Sequence, residues 1–301
     1  GSGEKIEGDG TNLTVTSGEL DLNGAGNLIV TGDVEINGSN SLLTGTDMAV
    51  TIGSLTTTSS GVYNATTGAA GTLITGRHAS SGKGLSVGGV SSIVHNNGKF
   101  VFQGSSVGVQ EIAINGTATS TVGLYDVEIN STATYDCAQQ SAITIYNNLT
   151  ITAGELTTHA THDYALTVTG TTSIDGTLTC NASTVSLGAA VTSGYALTVG
   201  DGGTFTGGSG THTIGSFNVS GSGSGGSMTL SSGNTTISSR NTSASRFFEV
   251  SSNANSFADG GGTLIFTTAA GSNIVLNKSG ATLNNVTIIM QVVRLHYLLL
   301  Q

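Results

Sequence analysis

The sequence predicts an all-β protein, and within that class a parallel β-helix, also called a β-solenoid. Leu, Val and Ile recur at alternate positions through most of the chain, which is the pattern of strands with one buried side. The phrase NLTVTSGEL at 12–20 returns as NLTITAGEL at 148–156, and YALTV at 164–168 returns at 195–199. Short repeated strands cannot bury their apolar side alone, so they must stack on copies of themselves.

The composition fits coils that are joined by tight corners. The 301 residues include 46 Gly and no Pro, and 9% of them are charged. Proline cannot donate to a ladder that is hydrogen-bonded on both sides, whereas Gly and Asn tolerate the positive φ that corners need. The regular apolar positions also separate this chain from disordered sequences of similar polarity.

The first coils follow directly from residue 12. Leu13 and Val15 face inward, the chain turns at a Ser-Gly pair, and Leu20 begins the next inward pair. NLIVTGDVEING at 27–38 repeats this cycle, and its Leu28 is 15 residues after Leu13. We therefore expect both leucines on the same face of the core, about 15–20 residues per coil, and a rod of roughly 70–95 Å at ~4.8 Å per coil.

The repeat divides the chain into four segments. Residues 1–220 are expected to form a solenoid that is less regular between 54 and 110. GSGSGG at 221–226 is expected to form a hinge or an excursion, and 227–288 to continue the solenoid with more aromatic packing. Residues 289–301 lose the Gly, Asn and Thr pattern, and we expect a cap over the open edge or a truncated end there.

Charge and apolar content exclude two classes of partner. The net charge is −10 with only eight Lys and Arg residues, so the chain cannot neutralise a phosphate backbone, and we expect no nucleic-acid partner. No segment reaches the roughly 18 apolar residues of a transmembrane helix. The two cysteines, Cys137 and Cys180, are expected to be small buried apolar side chains.

The pattern NLTVTSGELDLNG followed by NLIVTGDVEING, which covers most of residues 11–288, resembles known β-helical repeats. Such repeats occur in bacterial surface adhesins, in other secreted repeat proteins and in the shafts of bacteriophage tail fibres. The resemblance implies a non-enzymatic structural or adhesive rod, located outside the cell, on its surface or on a virion, that contacts extracellular glycans. It leaves a trimeric assembly open, and an antiparallel sandwich or an intertwined trimeric shaft is the alternative fold.

Four carboxylates beside the first inward pairs are candidate calcium ligands: Glu19, Asp21, Asp33 and Glu35. If Leu20 stacks on Val34, the same register places these acids in two columns about 5 Å apart, where like charges repel. Ca²⁺ has flexible oxygen coordination and would relieve that repulsion. A solvated acidic face or a different register is the simpler alternative, and no cofactor is required for the fold.

The segment HATHD at 159–163 brings three metal-capable side chains close together in sequence. Zinc sites draw three or four ligands from rigid elements, and no fourth ligand is evident beside His159, His162 and Asp163. We therefore expect a polar loop between two strands. Replacement of both histidines by Ala should then change the stability by only a few tenths of a kcal/mol.

A β-helical polysaccharide lyase or glycoside hydrolase is the main alternative function. Acidic residues on neighbouring coils would act as acid and base, and Asp163, Asp175 and Asp201 are the candidates. The chain has no Trp and 5% aromatic residues, so it offers few platforms for sugar rings. The scarcity of basic residues also disfavours substrates rich in uronic acid. We therefore favour the rod.

Threonine pairs of the form Thr-x-Thr suggest a second alternative. They occur at 14–16, 150–152, 167–169, 177–179, 204–206 and 211–213. Stacked on one flat face they would resemble an ice-binding surface. Threonine is also the usual outward residue of a strand, so this alternative depends on whether the pairs align.

Two irregular segments are the places where a site could interrupt the repeat. Residues 54–110 contain Arg77, His78 and Lys83, and residues 240–266 contain Arg240, Arg246, Phe247, Phe248 and Glu249. Neither segment pairs a nucleophile with a base at a recognisable spacing. We expect loops and packing residues, with glycan contact by the second segment as the functional alternative.

Overall fold

The computed structural model describes residues 5–8, 12–16, 18–22, 26–104, 109–115, 123–131, 136–221, 223–267 and 273–289. These residues form short β-strands joined by turns and bends, and no helix occurs among them. Every pairing between named strands is parallel, for example Leu28 with Val50 and Val50 with Thr72. The predicted parallel β-solenoid is therefore confirmed.

Each coil contributes one strand to each of three faces. The first face stacks these strands: Lys5–Gly8, the first part of Asn27–Ile36, the first part of Ala49–Thr57, Thr72–Ile74, Lys99–Phe102, Asp126–Asn130, Leu149–Ala153, Thr172–Ile174, Leu197–Val199, Phe217–Val219, Arg246–Val250 and Asn273–Leu276. The second face stacks these: Leu13–Val15, the second parts of the same two long strands, Lys83–Val87, Gln110–Ile114, Asp136–Gln139, Glu155–Thr157, Thr177–Thr179, Thr204–Thr206, Ser227–Thr229 and Ser256–Ala258.

The third face closes each coil. Its strands are Glu19–Asp21, Ser41–Leu43, Val62–Asn64, Ser92–Val94, Ile143–Ile145, Leu166–Val168, Val185–Leu187, His212–Ile214, Thr235–Ile237, Thr263–Phe266 and Asn285–Ile288. Between the fourth and fifth of these, Gly123 N donates to Ile93 O at 2.7 Å and Leu124 forms a parallel bridge with Ile145. The stacking of the third face therefore continues through this gap.

The coils are longer than the sequence predicted. Successive first-face partners are 20 residues apart between Leu197 and Phe217 and 31 apart between Phe217 and Phe248. Leu13 pairs with Val34 on the second face, whereas Leu28 lies on the first face, so the expected equivalence of these two leucines is wrong. Because a coil holds three strands, the 15-residue spacing joins strands on different faces. About 11 turns give a length of roughly 50 Å, shorter than predicted.

The core changes character along the axis. Inward side chains of the early coils are mainly aliphatic, such as Leu28, Val50 and Leu55, all nearly inaccessible to solvent. In the later coils Phe217 and Phe248 stack with ring centroids 4.5 Å apart and planes at 6°. Cys137 and Cys180 are buried and are not joined by a disulfide bond, which confirms them as small core side chains.

The corners explain the glycine and asparagine content. At one corner Asn181 has a φ of 43° and Gly208, one coil later, has a φ of 64°. A Cβ at Gly208 would collide with the carbonyl oxygen of Asn181, so this position requires glycine. Positive φ and close stacking of successive corners therefore act together.

Residues 223–226 belong to a corner that is held to the preceding coil. Asp201 Oδ1 accepts hydrogen bonds from Gly223 N at 3.0 Å and from Gly225 N at 3.2 Å. The strands on both sides of this segment continue the first-face and second-face ladders. Most of the proposed cap, residues 290–301, lies outside the described residues. Within the described part, no helix is long and apolar enough to cross a membrane.

Candidate functional sites

The four predicted calcium ligands lie on two different faces. Glu19 pairs with Ser41 and Leu20 with Leu42 on the third face, so Leu20 does not stack on Val34. Asp33 and Glu35 lie on the second face, opposite Ser54 and Thr56. The predicted register, in which Leu20 stacks on Val34, is therefore wrong. Leu13 pairs with Val34 one coil later, so the stretch that the prediction divides into two coils is a single coil. Among the described residues, no group of three or more His, Cys, Asp and Glu side chains is placed to hold a metal ion.

Two of these carboxylates instead meet a histidine from a loop two coils further on. His78 Nε2 lies 3.3 Å from Glu35 Oε1 and 3.7 Å from Asp33 Oδ2. Ser54 Oγ, on the intervening coil, donates to Asp33 Oδ1 at 2.6 Å. His78 Nδ1 lies 3.0 Å from Ser80 Oγ in the same loop. This cluster ties an outward loop to the second face, and it was not predicted because its partners are more than forty residues apart in the chain.

The segment HATHD is an exposed loop between the second and third faces, as predicted. His159 Nδ1 accepts backbone hydrogen bonds from Thr161 N at 3.1 Å and His162 N at 3.0 Å. The ring of His162 stacks on Tyr164, with centroids 5.3 Å apart and planes at 7°. One face of this loop is therefore packed by aromatic rings. The small effect expected for replacement of the histidines stays a prediction.

The three candidate catalytic aspartates do not form one constellation. Asp175 and Asp201 follow first-face strands of consecutive coils, and the backbone of Gly200 packs against Asp175 closely enough that an added Cβ would collide with Asp175 Oδ1. Asp201 holds the corner at 221–226 through the two bonds described above. Asp163 lies at a different corner, in the exposed loop after the second face. Asp201 therefore has a clear structural use.

The second irregular segment contributes to a polar cluster on the first face, here called the Tyr195 cluster and formed by Tyr195, Arg246 and Glu249. Arg246 forms a salt bridge with Glu249, and Tyr195 Oη donates to Glu249 Oε2 at 3.0 Å. Burial, with the neighbouring Glu249 carboxylate, raises the pKa of Tyr195. Phe248 belongs to the core and Phe247 packs against Phe266. Tyr195 was not predicted, because it lies 54 residues before Glu249 in the chain and contacts it across an intervening coil.

Loop-to-loop hydrogen bonds brace the surface beside the Tyr195 cluster. Ser238 Oγ donates to Ala189 O at 2.8 Å, and Ser239 Oγ donates to Val191 O at 2.6 Å. Thr242 donates through both its N and its Oγ1 to Thr192 O, each at 2.9 Å. The loop at 188–195 therefore crosses the intervening coil and fixes the excursion at 238–246.

A stack of rings on the corner after the third face ends in a groove. His95 stacks on Tyr125 with centroids 5.0 Å apart, and its ring is 6.1 Å from that of Tyr146. The preceding coil has Ala65 at this corner, and the groove there has a volume of about 510 Å³. Its lining contains no Asp, Glu, Lys or Arg and consists of Thr44, Gly45, Thr46, Ala65, Thr67, Val94, His95, Asn96 and Asn97. The sequence did not predict this stack, because the coils that connect its rings differ in length.

The Thr-x-Thr pairs align only in part. Thr177 pairs with Thr204 and Thr179 with Thr206 on the second face. The pair at 150–152 lies on the first face, and those at 167–169 and 211–213 begin or end on the third. Two of the six pairs therefore form adjacent rungs. Other hydroxyl-bearing strands extend this alignment in both directions, as described below.

Comparisons with protein families, with curated proteins and with solved structures find no match for this chain. The class of protein is thus defined by the structure itself, a parallel β-solenoid of about 11 turns.

Proposed function

We propose that the chain is a non-catalytic rod, located outside the cell or on a virion, whose work is to hold and present surfaces that contact glycans. The observation that carries this proposal is the continuity of pairing. First-face strands pair with the next coil from Lys5–Gly8 to Asn273–Leu276, and the second face does the same from Leu13–Val15 to Ser256–Ala258. Similar units that stack in this way extend a shape without the need for a unique site.

The core supports a stiff particle. Nearly every inward side chain is inaccessible to solvent from Val15 to Phe266, so the apolar core is continuous along the described axis. Close packing of this kind resists compression and bending. A rod that transmits force or holds a tip at a distance needs this stiffness.

The Tyr195 cluster is the surface that we propose for glycan contact. The side chains of Arg246 and Glu249 are 34% and 24% exposed, so both can reach a ligand. A guanidinium and a carboxylate bind sugar hydroxyls through charge-assisted hydrogen bonds, and Tyr195 adds an aromatic ring beside them. The bracing of the neighbouring excursion keeps this group in place before binding, which lowers the entropic cost of association.

Two measurements test this function. Small-angle scattering should give an elongated particle of roughly 50 Å, as expected for about 11 coils. On an array of neutral and acidic glycans, Arg246→Ala should weaken binding by about tenfold, the effect of losing one charge-assisted contact. Lys83→Ala is the matched control, because it removes a cation from the second face, and it should leave binding unchanged.

Two results would contradict the rod. One is a compact particle in solution. The other is release of unsaturated or reducing sugar ends by the wild type that is abolished in Asp175→Ala, which would assign the chain to the lyases or hydrolases.

A further inference from the structure

Five consecutive strands of the second face present a two-column surface, here called the hydroxyl array. The strands are Glu155–Thr157, Thr177–Thr179, Thr204–Thr206, Ser227–Thr229 and Ser256–Ala258. Their middle residues point inward and their first and last residues point outward. One column runs Glu155, Thr177, Thr204, Ser227, Ser256, and the other Thr157, Thr179, Thr206, Thr229, Ala258. Eight of these ten outward residues carry a hydroxyl group.

The rungs of the array are in regular register. None of the four pairings that connect the five strands contains a bulge or a shift. By contrast, the earlier second-face pairing of Lys83–Val87 with Gln110–Ile114 is shifted between Glu111 and Ile112. The array is therefore a regular part of this face, with hydroxyl groups repeating at about 4.8 Å along the axis and about 6.6 Å along each strand.

The hydroxyl groups at the centre of the array are available to an external ligand. Within the described part of the chain, the side chains of Thr177, Thr179, Thr204, Thr206 and Thr229 make no hydrogen bond to another protein group. All five are partly or fully exposed. Each of them therefore offers a free donor, free acceptor lone pairs and a methyl group to whatever lies on this face.

The array is rigid before it binds anything. The inward residues of its five strands, Leu156, Leu178, Phe205, Met228 and Phe257, are all buried in the core. Threonine is β-branched and has restricted χ1 rotamers on a strand. Binding of a ligand that matches the array therefore costs little conformational entropy of the protein side chains.

We propose that the hydroxyl array binds ice. Ice is an uncharged crystal whose oxygen atoms repeat in two dimensions at spacings close to those of the array, and each oxygen donates and accepts hydrogen bonds. Threonine hydroxyls can join that lattice while their methyl groups exclude disordered water between them. The four rungs after Glu155–Thr157 contain no charged residue, and charge would hold its own hydration shell.

A crystalline polysaccharide is the competing flat ligand, and the array is less suited to it. Sugar rings bind through aromatic faces, and the outward positions of these five strands carry no aromatic side chain. Binding of soluble acidic polymers is disfavoured as well, because the array contains no Lys or Arg. Because the array has neither aromatic nor cationic side chains, ice matches its chemistry better than a polysaccharide does.

Thermal hysteresis and inhibition of ice recrystallisation test this proposal directly. We expect the wild type to show both effects. The double variant Thr204→Tyr with Thr206→Tyr, at the centre of the array, should need at least about tenfold more protein for the same inhibition. The matched control is Thr213→Tyr with Thr236→Tyr, two half-exposed residues in register on the third face, and it should act like the wild type.

Circular dichroism and melting temperature are measured for every variant, and Thr179→Lys replaces the double variant if that one does not fold. The proposal is overturned if the folded wild type shows no hysteresis and no inhibition of recrystallisation. It is also overturned if the third-face control loses as much inhibition as the array variant, or if the protein sediments with crystalline cellulose or chitin but is excluded from growing ice. None of these results bears on the particle length or on the Arg246 effect that test the rod.

Discussion

The early coils and the later coils share the same three-faced architecture and present different outer surfaces. In the early coils the second face carries Asp33 and Glu35, and a loop with His78 folds back onto them. In the later coils the same face carries Thr and Ser in regular columns. The fold depends on the inward residues and the corners, so the outward strand residues of each coil can change without altering the stacking. We therefore expect any binding surface of this molecule on the outward columns and at the corners.

The cores of the two regions also differ, and stability should follow this difference. Aliphatic side chains interlock in the early coils, whereas Phe217, Phe248 and Phe257 form a stack in the later ones. Each buried ring removes a large apolar area from water and adds ring-to-ring contacts. We therefore expect the stability of the later coils to depend strongly on these few phenylalanines.

Phe248→Ala should have the largest effect of the changes considered. Phe248 is fully buried and stacks on Phe217, so its loss removes the transfer free energy of a ring and leaves a cavity between coils. We expect the free energy of unfolding to fall by about 3–5 kcal/mol, measured by urea denaturation. Phe247→Ala, at the half-buried neighbour, is the control and should cost clearly less. Equal losses for the two variants would show that the stack does not dominate this region.

His212→Leu should have the next largest effect, and it should depend on pH. His212 is fully buried on the third face and neither ring nitrogen has a hydrogen-bond partner among the described residues. Burial lowers the pKa of His212 from 6.5 to about 4. The unfolded chain therefore binds a proton at this residue more readily than the folded chain. The free energy of unfolding is unaffected by this titration above pH 6.5 and decreases as the pH falls toward 4.

The wild type should lose up to about 3 kcal/mol of stability between pH 6.5 and pH 4 through this residue, and His212→Leu should lose that part of the slope. The variant should also be more stable at pH 7, since it removes two unpaired nitrogens from the core. His159→Leu, in an exposed loop, is the control and should keep the wild-type slope. A slope that is unchanged in His212→Leu would mean that the histidine is solvated or paired in solution.

His78→Ala should have the smallest effect. The side chains of His78, Asp33 and Glu35 are 21%, 16% and 31% exposed, so solvent screens the interaction. We expect a loss of less than about 1 kcal/mol, with faster hydrogen exchange limited to the loop at 75–82. Lys83→Ala provides the control for a charge change in the same region. A loss as large as that of Phe248→Ala would show that the loop is part of the early core.

The sequence predicted some of these features for clear physical reasons. Alternation in stretches such as Leu13–Val15 reports directly which side chains are buried, because neighbouring residues on a strand face opposite sides. The absence of proline and the positive φ of corner residues such as Asn181 and Gly208 are local backbone properties, so composition was enough to predict stacked coils. The HATHD loop was also predictable, since its residues lack the alternation.

The candidate sites were predicted less well, because each depends on register. Glu19 and Asp33 are similar in sequence context yet lie on different faces, and Tyr195 contacts Glu249 across one intervening coil, 54 residues away in the chain. Coil length varies from 19 to 31 residues, so no fixed period connects such partners. The partial alignment of the Thr-x-Thr pairs had the same cause.

By itself, the sequence determined that the chain is all β, that its strands are short and parallel, and that its inward residues form a continuous apolar core. These properties follow from alternation and from backbone preferences, which act between near neighbours in the chain. Only the tertiary structure decided which outward residues share a column, such as Thr179 with Thr206, and which loops reach across a coil, such as the one with His78. Those contacts join residues more than twenty positions apart, and their geometry depends on the number of residues in each intervening corner.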